Sequence, residues 1–227
     1  MICAAGREQA VVSARLYQSE GHGDAAWLIL APGAGAGHDH PFMVGFARGL
    51  AQRGLEVVTF NFPYIERGRR VPDRNDTLES CWRSVLAAVA DMAGSDVPLF
   101  AGGKSMGGRI ASQVAADAEA GSRVAGLVFL GYPLHPPGRP ELERSAHWPA
   151  IRIPALFLQG ERDAFGAPDE LHEAVRRFGG TVTVTMIPGG DHSFRVPARA
   201  GRKQADVFAE MQDTIAGWIN RRGRTPA

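Results

Sequence analysis

The sequence lacks several features that would place it in a particular class of proteins. It contains only two cysteines, Cys3 and Cys81, which are too few for a disulfide framework or a four-thiolate zinc site. Its 25 basic residues nearly balance its 24 acidic residues, and the formal net charge is +1. Proteins that bind nucleic acid through phosphate neutralisation carry a clear basic excess, so we expect no nucleic-acid partner.

Long hydrophobic runs are also missing. The uncharged stretch Ala25–Gly37 is interrupted by Pro32 and by three glycines, whereas a membrane-spanning helix needs about 20 consecutive apolar residues. Residues Met1–Glu8 carry no basic flank ahead of an apolar segment, as a secretory signal would. We therefore predict a cytoplasmic protein without a membrane partner.

The composition that remains is typical of one globular domain, here over residues 1–227. Hydrophobic residues make up 44% of the chain and charged residues 22%, and glycine is unusually frequent with 28 residues. Many of these glycines cluster directly after short apolar runs. This arrangement is typical of strands that end in tight loops.

Six of these runs are apolar almost throughout and predict strands that are covered on both faces. They are Trp27–Ala31, Glu56–Phe60, Leu99–Gly102, Gly126–Gly131, Ala155–Gly160 and Val182–Ile187. An earlier run, Val11–Tyr17, predicts an edge strand that a turn at His22–Asp24 joins to the next strand. Helical periodicity stands between most of the strands, as in Phe42, Phe46 and Leu50.

The alternation of strand and helix predicts parallel βαβ units. We therefore predict a single α/β domain in which a mostly parallel sheet of about seven strands carries helices on both faces. The irregular segment from residue 134 to 154 is too short to form a large cap domain.

A candidate nucleophile follows the strand Leu99–Gly102. Residues Gly103–Gly107 form a G-x-S-x-G motif, in which a sharp strand-to-helix turn lifts the oxygen of Ser105 above the sheet. Sites in open α/β sheets lie at the carboxyl ends of the strands, so this position suits a reactive serine. Helix capping would explain a lone serine equally well.

Two further strand ends supply residues that would activate this serine. Asp163 follows the strand-ending Gly160, with Glu161 as the alternative acid, and His192 follows the last strand. A serine needs a base to remove its proton, and the base needs an acid to fix its tautomer. The chain order Ser105, Asp163, His192 is that of α/β-hydrolase triads. Three such residues at three strand ends favour catalysis over three unrelated structural roles.

Negative charge that develops on a substrate oxygen needs two backbone N–H donors. Met106, directly after the serine, is one candidate, and the glycine-rich loop 31–37 offers Ala34 as the other. Two basic side chains near the predicted site, Arg69 and Lys104, are candidates for orienting an acidic group of the substrate. For Arg69 the alternative is a solvated loop with ordinary ion pairs, which we favour slightly.

Other motifs are less well supported. Gly103-Lys104-Ser105 would need a glycine five residues before Gly103 to form a phosphate-binding loop, and Pro98 stands there. The glycine run 33–37 is followed by His38, which breaks the dinucleotide-binding pattern. His38–His40 are better explained as a helix-capping loop than as metal ligands. We expect no cofactor and no metal.

The combined motifs resemble the α/β-hydrolase superfamily on its dienelactone-hydrolase-like side. The motifs are Gly103–Gly107, the turn from Gly160 to Asp163 and the loop Asp191–Phe194. A narrower set is similar to bacterial relatives of the testis-expressed hydrolase-like proteins and of a subunit of the NSL acetyltransferase complex. That set comprises Ala34–Gly37, Pro41–Met43, Phe62–Tyr64, Glu66–Arg70 and Gly103–Gly108.

The resemblance covers nearly the whole chain and implies a capless hydrolase fold with a Ser105–Asp163–His192 site. Two positions depart from it: dienelactone hydrolases proper carry cysteine where Ser105 stands, and many relatives carry histidine where Pro32 stands. We therefore predict a serine hydrolase, carboxylesterase-like, that acts on a small ester or acyl substrate through an acyl-enzyme. The alternative is a non-catalytic scaffold or protein-interaction module that keeps this fold. Nothing in the sequence predicts an oligomeric state.

Overall fold

The structure, a computed structural model, describes residues 2–5, 8–20 and 25–223, with only the backbone described for residues 2–5, 8 and 9. The expected turn at residues 22–24 lies outside these ranges. Within them the strands are β1 Ile2–Ala5, β2 Glu8–Val11, β3 Ala14–Tyr17, β4 Trp27–Ala31, β5 Glu56–Phe60, β6 Leu99–Lys104, β7 Gly126–Leu130, β8 Ala155–Gly160 and β9 Val182–Ile187. The α-helices in the same ranges are α1 Pro41–Ala51, α2 Pro63–Glu66, α3 Asn75–Ala93, α4 Met106–Ala115, α5 Ala118–Ser122, α6 Pro168–Val175 and α7 Gln204–Gly223.

Seven of these strands form one sheet in the order β3-β5-β4-β6-β7-β8-β9. Strand β3 runs antiparallel to β5, and every other neighbouring pair is parallel. All six apolar runs are strands of this sheet, and five of them are buried almost throughout, as predicted. The prediction was wrong for β9, which lies at the edge of the sheet and is half-buried up to Ile187. The prediction of a mostly parallel sheet of about seven strands is therefore confirmed.

The chain ahead of β4 differs from the expected single strand over Val11–Tyr17. Val11 ends β2, which pairs with β1 in a separate hairpin, and β3 starts only at Ala14. Two hydrogen bonds fix the break: the Ser13 N–H donates to Glu66 Oε1 at 2.6 Å, and the Asn61 N–H donates to the Ser13 carbonyl at 2.9 Å. The side-chain pattern of Val11–Tyr17 does not indicate these long-range hydrogen bonds, so the sequence alone did not predict the break.

Apolar side chains cover both faces of the sheet, which explains why the strands are continuously apolar. On one face α3, α4 and α6 pack over residues such as Phe129 and Phe157, and Cys81 is buried there. On the other face α1 and α7 pack over Phe100 and Leu158. Each fully buried side chain of this size contributes roughly 1.5–3 kcal/mol through the hydrophobic effect.

Two local expectations are confirmed. His40 caps α1, since its Nδ1 accepts a hydrogen bond from the Phe42 N–H at 3.2 Å. The connection from β7 to β8, residues 131–154, is described throughout and contains one turn of 3-10 helix, Trp148–Ala150, in place of a cap domain. Trp148 is buried and packs edge-on against Phe157, with ring centroids 5.3 Å apart.

No helix in the described part of the chain is long and apolar enough to cross a bilayer. The same residues contain no group of three or more His, Cys, Asp or Glu side chains that could hold a metal ion.

Candidate active site

Ser105 lies in a strained turn between β6 and α4. Its backbone has φ 50° and ψ −116°, a conformation that residues with a Cβ rarely adopt. Glycine is required on both sides of it, because a Cβ on Gly103 or on Gly107 would lie 2.5 Å from the carbonyl oxygen of Ala31. The turn thus presents Ser105 at the carboxyl end of the sheet, as the G-x-S-x-G motif predicts.

His192 lies in the loop after β9 and contacts Ser105 directly. Its Nε2 is 2.8 Å from Ser105 Oγ, and its Nδ1 is 2.8 Å from Asp163 Oδ2. The loop keeps its shape through Asp191, whose Oδ1 accepts hydrogen bonds from two backbone N–H groups, those of Ser193 and Arg195. The ring of His192 also packs on Phe165, with centroids 4.2 Å apart.

Asp163 is buried, and both of its oxygens have donors besides His192. Oδ2 accepts from Gln159 Nε2 at 2.9 Å, and Oδ1 accepts from the Phe165 N–H at 2.8 Å. Glu161, the alternative acid, instead accepts from the Gly189 N–H. The sequence analysis did not identify Gln159 as a site residue. Its position at the end of β8, close to Asp163 in the chain, could have indicated it.

Ala34 and Met106 both border the cleft beside Ser105. Met106 is the first residue of α4, so its N–H has no partner within the helix. The residue after Ala34 fixes the loop in place, because the Gly35 N–H donates a hydrogen bond to the hydroxyl of Tyr64 at 3.0 Å. Tyr64 is fully buried. The support that its hydroxyl gives to this loop could not be predicted from the sequence.

Lys104 and Arg69, the candidate substrate contacts, have protein partners in the structure. Lys104 borders the cleft, but its Nζ donates to the backbone carbonyl of His192 at 2.6 Å. Burial lowers the pKa of Lys104 from 10.5 to about 8. Arg69 forms an ion pair with Asp73, and of these two residues Asp73 is the one that borders the cleft. A role of Arg69 in substrate binding stays a prediction.

The cleft above Ser105 has a volume of about 620 Å³. Phe42, Met43 and Leu78 give it an apolar part, and Arg109 and Arg144 give it a cationic part. Neither arginine was singled out in the sequence, because Arg144 lies in the irregular segment 134–154 and no local pattern connects the two.

A strand-to-helix turn with a serine, an acid after β8 and a histidine after β9, on a sheet of this order, define the α/β-hydrolase fold. The family model described as "Alpha/beta hydrolase domain" matches residues 24–220, and the chain belongs to this family.

Solved structures of the same fold include three with low sequence identity. A dienelactone hydrolase from Anabaena variabilis is 19% identical with a TM-score of 0.74, over 99% of this chain and 97% of that one. An α/β serine hydrolase homologue from Coxiella burnetii is 18% identical with a TM-score of 0.74, over 96% of both chains. An α/β serine hydrolase without a lid from Xanthomonas campestris is 19% identical with a TM-score of 0.70, over 100% of this chain and 95% of that one.

Proposed function

We propose that the protein is a serine hydrolase of the carboxylesterase type, which acts on a small ester or acyl substrate. The observation that carries this proposal is the hydrogen-bond chain from Ser105 through His192 to Asp163, with 2.8 Å at each step. At this distance a base can take up the proton of a nucleophile as it attacks. Family membership and the neighbours described as serine hydrolases support the same reaction class.

In the proposed reaction, Ser105 Oγ attacks the substrate carbonyl while His192 Nε2 takes its proton. Asp163 keeps the other ring nitrogen protonated and stabilises the imidazolium that forms. The N–H groups of Ala34 and Met106 receive the oxyanion of the tetrahedral intermediate. His192 then gives its proton to the leaving alcohol, and an acyl group remains on Ser105.

Deacylation repeats these steps with water as the nucleophile. His192 takes a proton from the water, which attacks the acyl carbonyl, and returns the proton to Ser105 as the acid leaves. Protons, water and side chains complete both halves, so the proposed reaction needs no cofactor.

The narrower relationship to the testis-expressed and NSL-complex proteins is part of this proposal. Two of the loop motifs on which it rests, Ala34–Gly37 and Phe62–Tyr64, contact each other through the bond from the Gly35 N–H to the Tyr64 hydroxyl. The motifs therefore act together on the loop that would hold the oxyanion.

Labelling with a fluorophosphonate probe tests the proposal. We expect the wild-type protein to be labelled, Ser105→Ala to be unlabelled, and His192→Ala to be labelled much more slowly. Ser122→Ala, which changes an exposed serine in α5, is the matched control and should be labelled like the wild type. An unlabelled wild type with a folded circular-dichroism spectrum would overturn the proposal and favour the scaffold alternative.

A further inference from the structure

Arg109 and Arg144 border the same cleft as Ser105, and neither has a role in the proposed reaction. Arg109 is one helical turn beyond Ser105, and its backbone N–H donates to the Ser105 carbonyl at 3.0 Å. Arg109 therefore lies in the first turn of α4, which begins directly after the candidate nucleophile.

Within the described part of the chain, Arg109 forms no ion pair with a carboxylate. Its Nη1 donates to two neutral amide oxygens, Asn75 Oδ1 at 3.0 Å and Gln113 Oε1 at 3.2 Å. These bonds hold the guanidinium in place and leave its charge in the cleft. Glu79 raises the pKa of Arg109, but its Oε1 accepts from Asn75 Nδ2 at 2.6 Å and forms no ion pair with Arg109 among the described residues.

Backbone hydrogen bonds fix the position of Arg144. The Arg144 N–H donates to the Leu134 carbonyl at 2.7 Å, and the Arg144 carbonyl accepts from the hydroxyl of the buried Tyr132 at 2.9 Å. Over residues 25–223 and the earlier described ranges, the guanidinium of Arg144 has no hydrogen bond or ion pair. The neighbouring Glu143 is paired with Arg177 instead.

The two guanidinium groups are close enough to repel each other. Burial lowers the pKa of Arg109, Tyr132 raises it, and the charge of Arg144 lowers it again. His147 responds to the same field: burial, with the charge of Arg109, lowers its pKa to about 4, so it is neutral at pH 7.

The cleft as a whole is cationic. Lys104, Arg109 and Arg144 border it, whereas Asp73 is the one carboxylate among the described lining residues and is paired with Arg69. Two like charges near each other, with no carboxylate paired to either among the described residues, raise the energy of the free protein, and an anion bound between them would remove that repulsion.

We propose that Arg109 and Arg144 form an anion subsite, and that the substrate is an ester that carries a carboxylate a few bonds from the scissile carbonyl. That the substrate is an ester rests on the proposed function, whereas that the cleft binds an anion rests on the two arginines alone. The planar guanidinium matches a carboxylate with two parallel hydrogen bonds, and one helical turn separates Arg109 from Ser105. Monoesters of short dicarboxylic acids have this arrangement of groups.

A comparison of two esters tests the subsite. The mono-4-nitrophenyl ester of glutaric acid carries the carboxylate, and 4-nitrophenyl pentanoate is a neutral ester of equal chain length. We expect Arg144→Met to lower the ratio of their kcat/KM values, acidic over neutral, by about 10- to 100-fold, which is the usual effect of losing a hydrogen bond between charged groups. Arg109→Met should lower the same ratio, and Arg144→Glu should lower it more than Arg144→Met.

Arg176→Met is the matched control, because Arg176 forms an exposed ion pair with Glu173 in the region of α6. It should leave the ratio as in the wild type. An equal loss for both esters in Arg144→Met and in Arg109→Met would overturn the subsite, since the arginines would then support the fold or the reaction in general.

Binding of glutarate separates the two proposals. We expect calorimetry to detect glutarate binding to the wild type and to Ser105→Ala, and a loss of about tenfold or more in affinity in Arg144→Met. If the protein hydrolyses neither ester and takes no fluorophosphonate label, the proposed function fails while this binding still supports the subsite. Glutarate binding that is absent from the wild type, or unchanged in Arg144→Met, would overturn the subsite.

Discussion

The ammonium group of Lys104 donates a hydrogen bond to the backbone carbonyl of His192, 2.6 Å away. The residue before the candidate nucleophile therefore holds the loop that carries the candidate base. The same ammonium lies 5.4 Å from the ring centroid of Phe194, and a Cβ on Gly131 would lie 3.1 Å from it. This enclosed position makes Lys104 part of the framework that aligns Ser105 with His192.

Replacement of Lys104 by methionine should change how stability depends on pH. Burial lowers the pKa of Lys104 from 10.5 to about 8 in the folded protein, against the attraction of Asp163 and Asp191. Between these values the unfolded chain keeps a proton that the folded protein has released, so this group makes the free energy of unfolding rise with pH. We expect the wild-type value, relative to Lys104→Met, to rise by about 2 kcal/mol from pH 7.5 to 10.

Urea denaturation of both proteins across this range measures the difference. The only other lysine of the chain, Lys203, is exposed, and Lys203→Met is the matched control. Parallel pH profiles for the wild type and Lys104→Met would show that the buried ammonium does not titrate in this window.

Replacement of Asp163 by asparagine should reverse the tautomer of His192. The amide oxygen would accept from the Phe165 N–H. The amide nitrogen would then face Gln159 Nε2 and His192 Nδ1, which now contact Asp163 Oδ2. A donor there would favour His192 with its proton on Nε2, which cannot then accept the proton of Ser105. We expect kcat for a neutral 4-nitrophenyl ester to fall by about 10³- to 10⁴-fold with little change in KM.

Glu161→Gln is the matched control for Asp163→Asn. Glu161 accepts from the Gly189 N–H and makes no bond to the candidate base, so kcat should change less than about fivefold. A larger loss of kcat in Glu161→Gln than in Asp163→Asn would assign the acid to Glu161.

The strain at Ser105 should appear as a difference between two inactive variants. Glycine adopts φ 50° and ψ −116° readily, whereas alanine keeps the steric cost of a Cβ. We expect Ser105→Gly to exceed Ser105→Ala in free energy of unfolding by about 1 kcal/mol. Ser84, in the middle of α3, should show the opposite order, because alanine favours a helix over glycine by about 1 kcal/mol.

Thermal and urea denaturation of Ser105→Gly, Ser105→Ala, Ser84→Gly and Ser84→Ala give this comparison directly. The same order of alanine and glycine at both positions would mean that the turn at Ser105 stores no measurable strain.

The sequence predicts the sheet and the order of the candidate triad because both depend on local signals. A buried parallel strand must be apolar on both faces, and the turn at Ser105 needs glycine at 103 and 107, so both leave a short and readable pattern. The same logic applies to Asp163 and His192, each of which follows the end of a strand.

The supporting residues follow from contacts between distant segments, which no local pattern records. The bond from Gly35 to Tyr64 and the repulsion between Arg109 and Arg144 exist only once the chain has folded. The break before β3 has the same origin, since Ser13 is held by Glu66 from a later part of the chain. Side-chain position along the sequence determines which face a residue occupies but not which partner it meets.

The glycines around Ser105 leave no room for a Cβ, and a comparison of Gly107→Ala with Gly45→Ala tests this. A Cβ on Gly107 would lie 2.5 Å from the carbonyl oxygens of both Ala31 and Pro32, where β4 ends and the glycine-rich loop that carries Ala34 begins. Backbone atoms at this distance cannot move aside alone, so α4 and that loop would shift relative to each other. We expect Gly107→Ala to lower the free energy of unfolding by about 3 kcal/mol.

The same displacement would separate the Ala34 and Met106 N–H groups that are proposed to bind the oxyanion. A shift of about 1 Å costs on the order of 100-fold in rate, so kcat/KM for a neutral ester should fall by about that factor. Gly45→Ala is the control, because Gly45 lies within α1 with no atom within 4 Å of an added Cβ. There alanine should raise the free energy of unfolding by about 0.5–1 kcal/mol. Equal effects of the two substitutions would show that Gly107 is not needed for the close contact between α4 and the glycine-rich loop that carries Ala34.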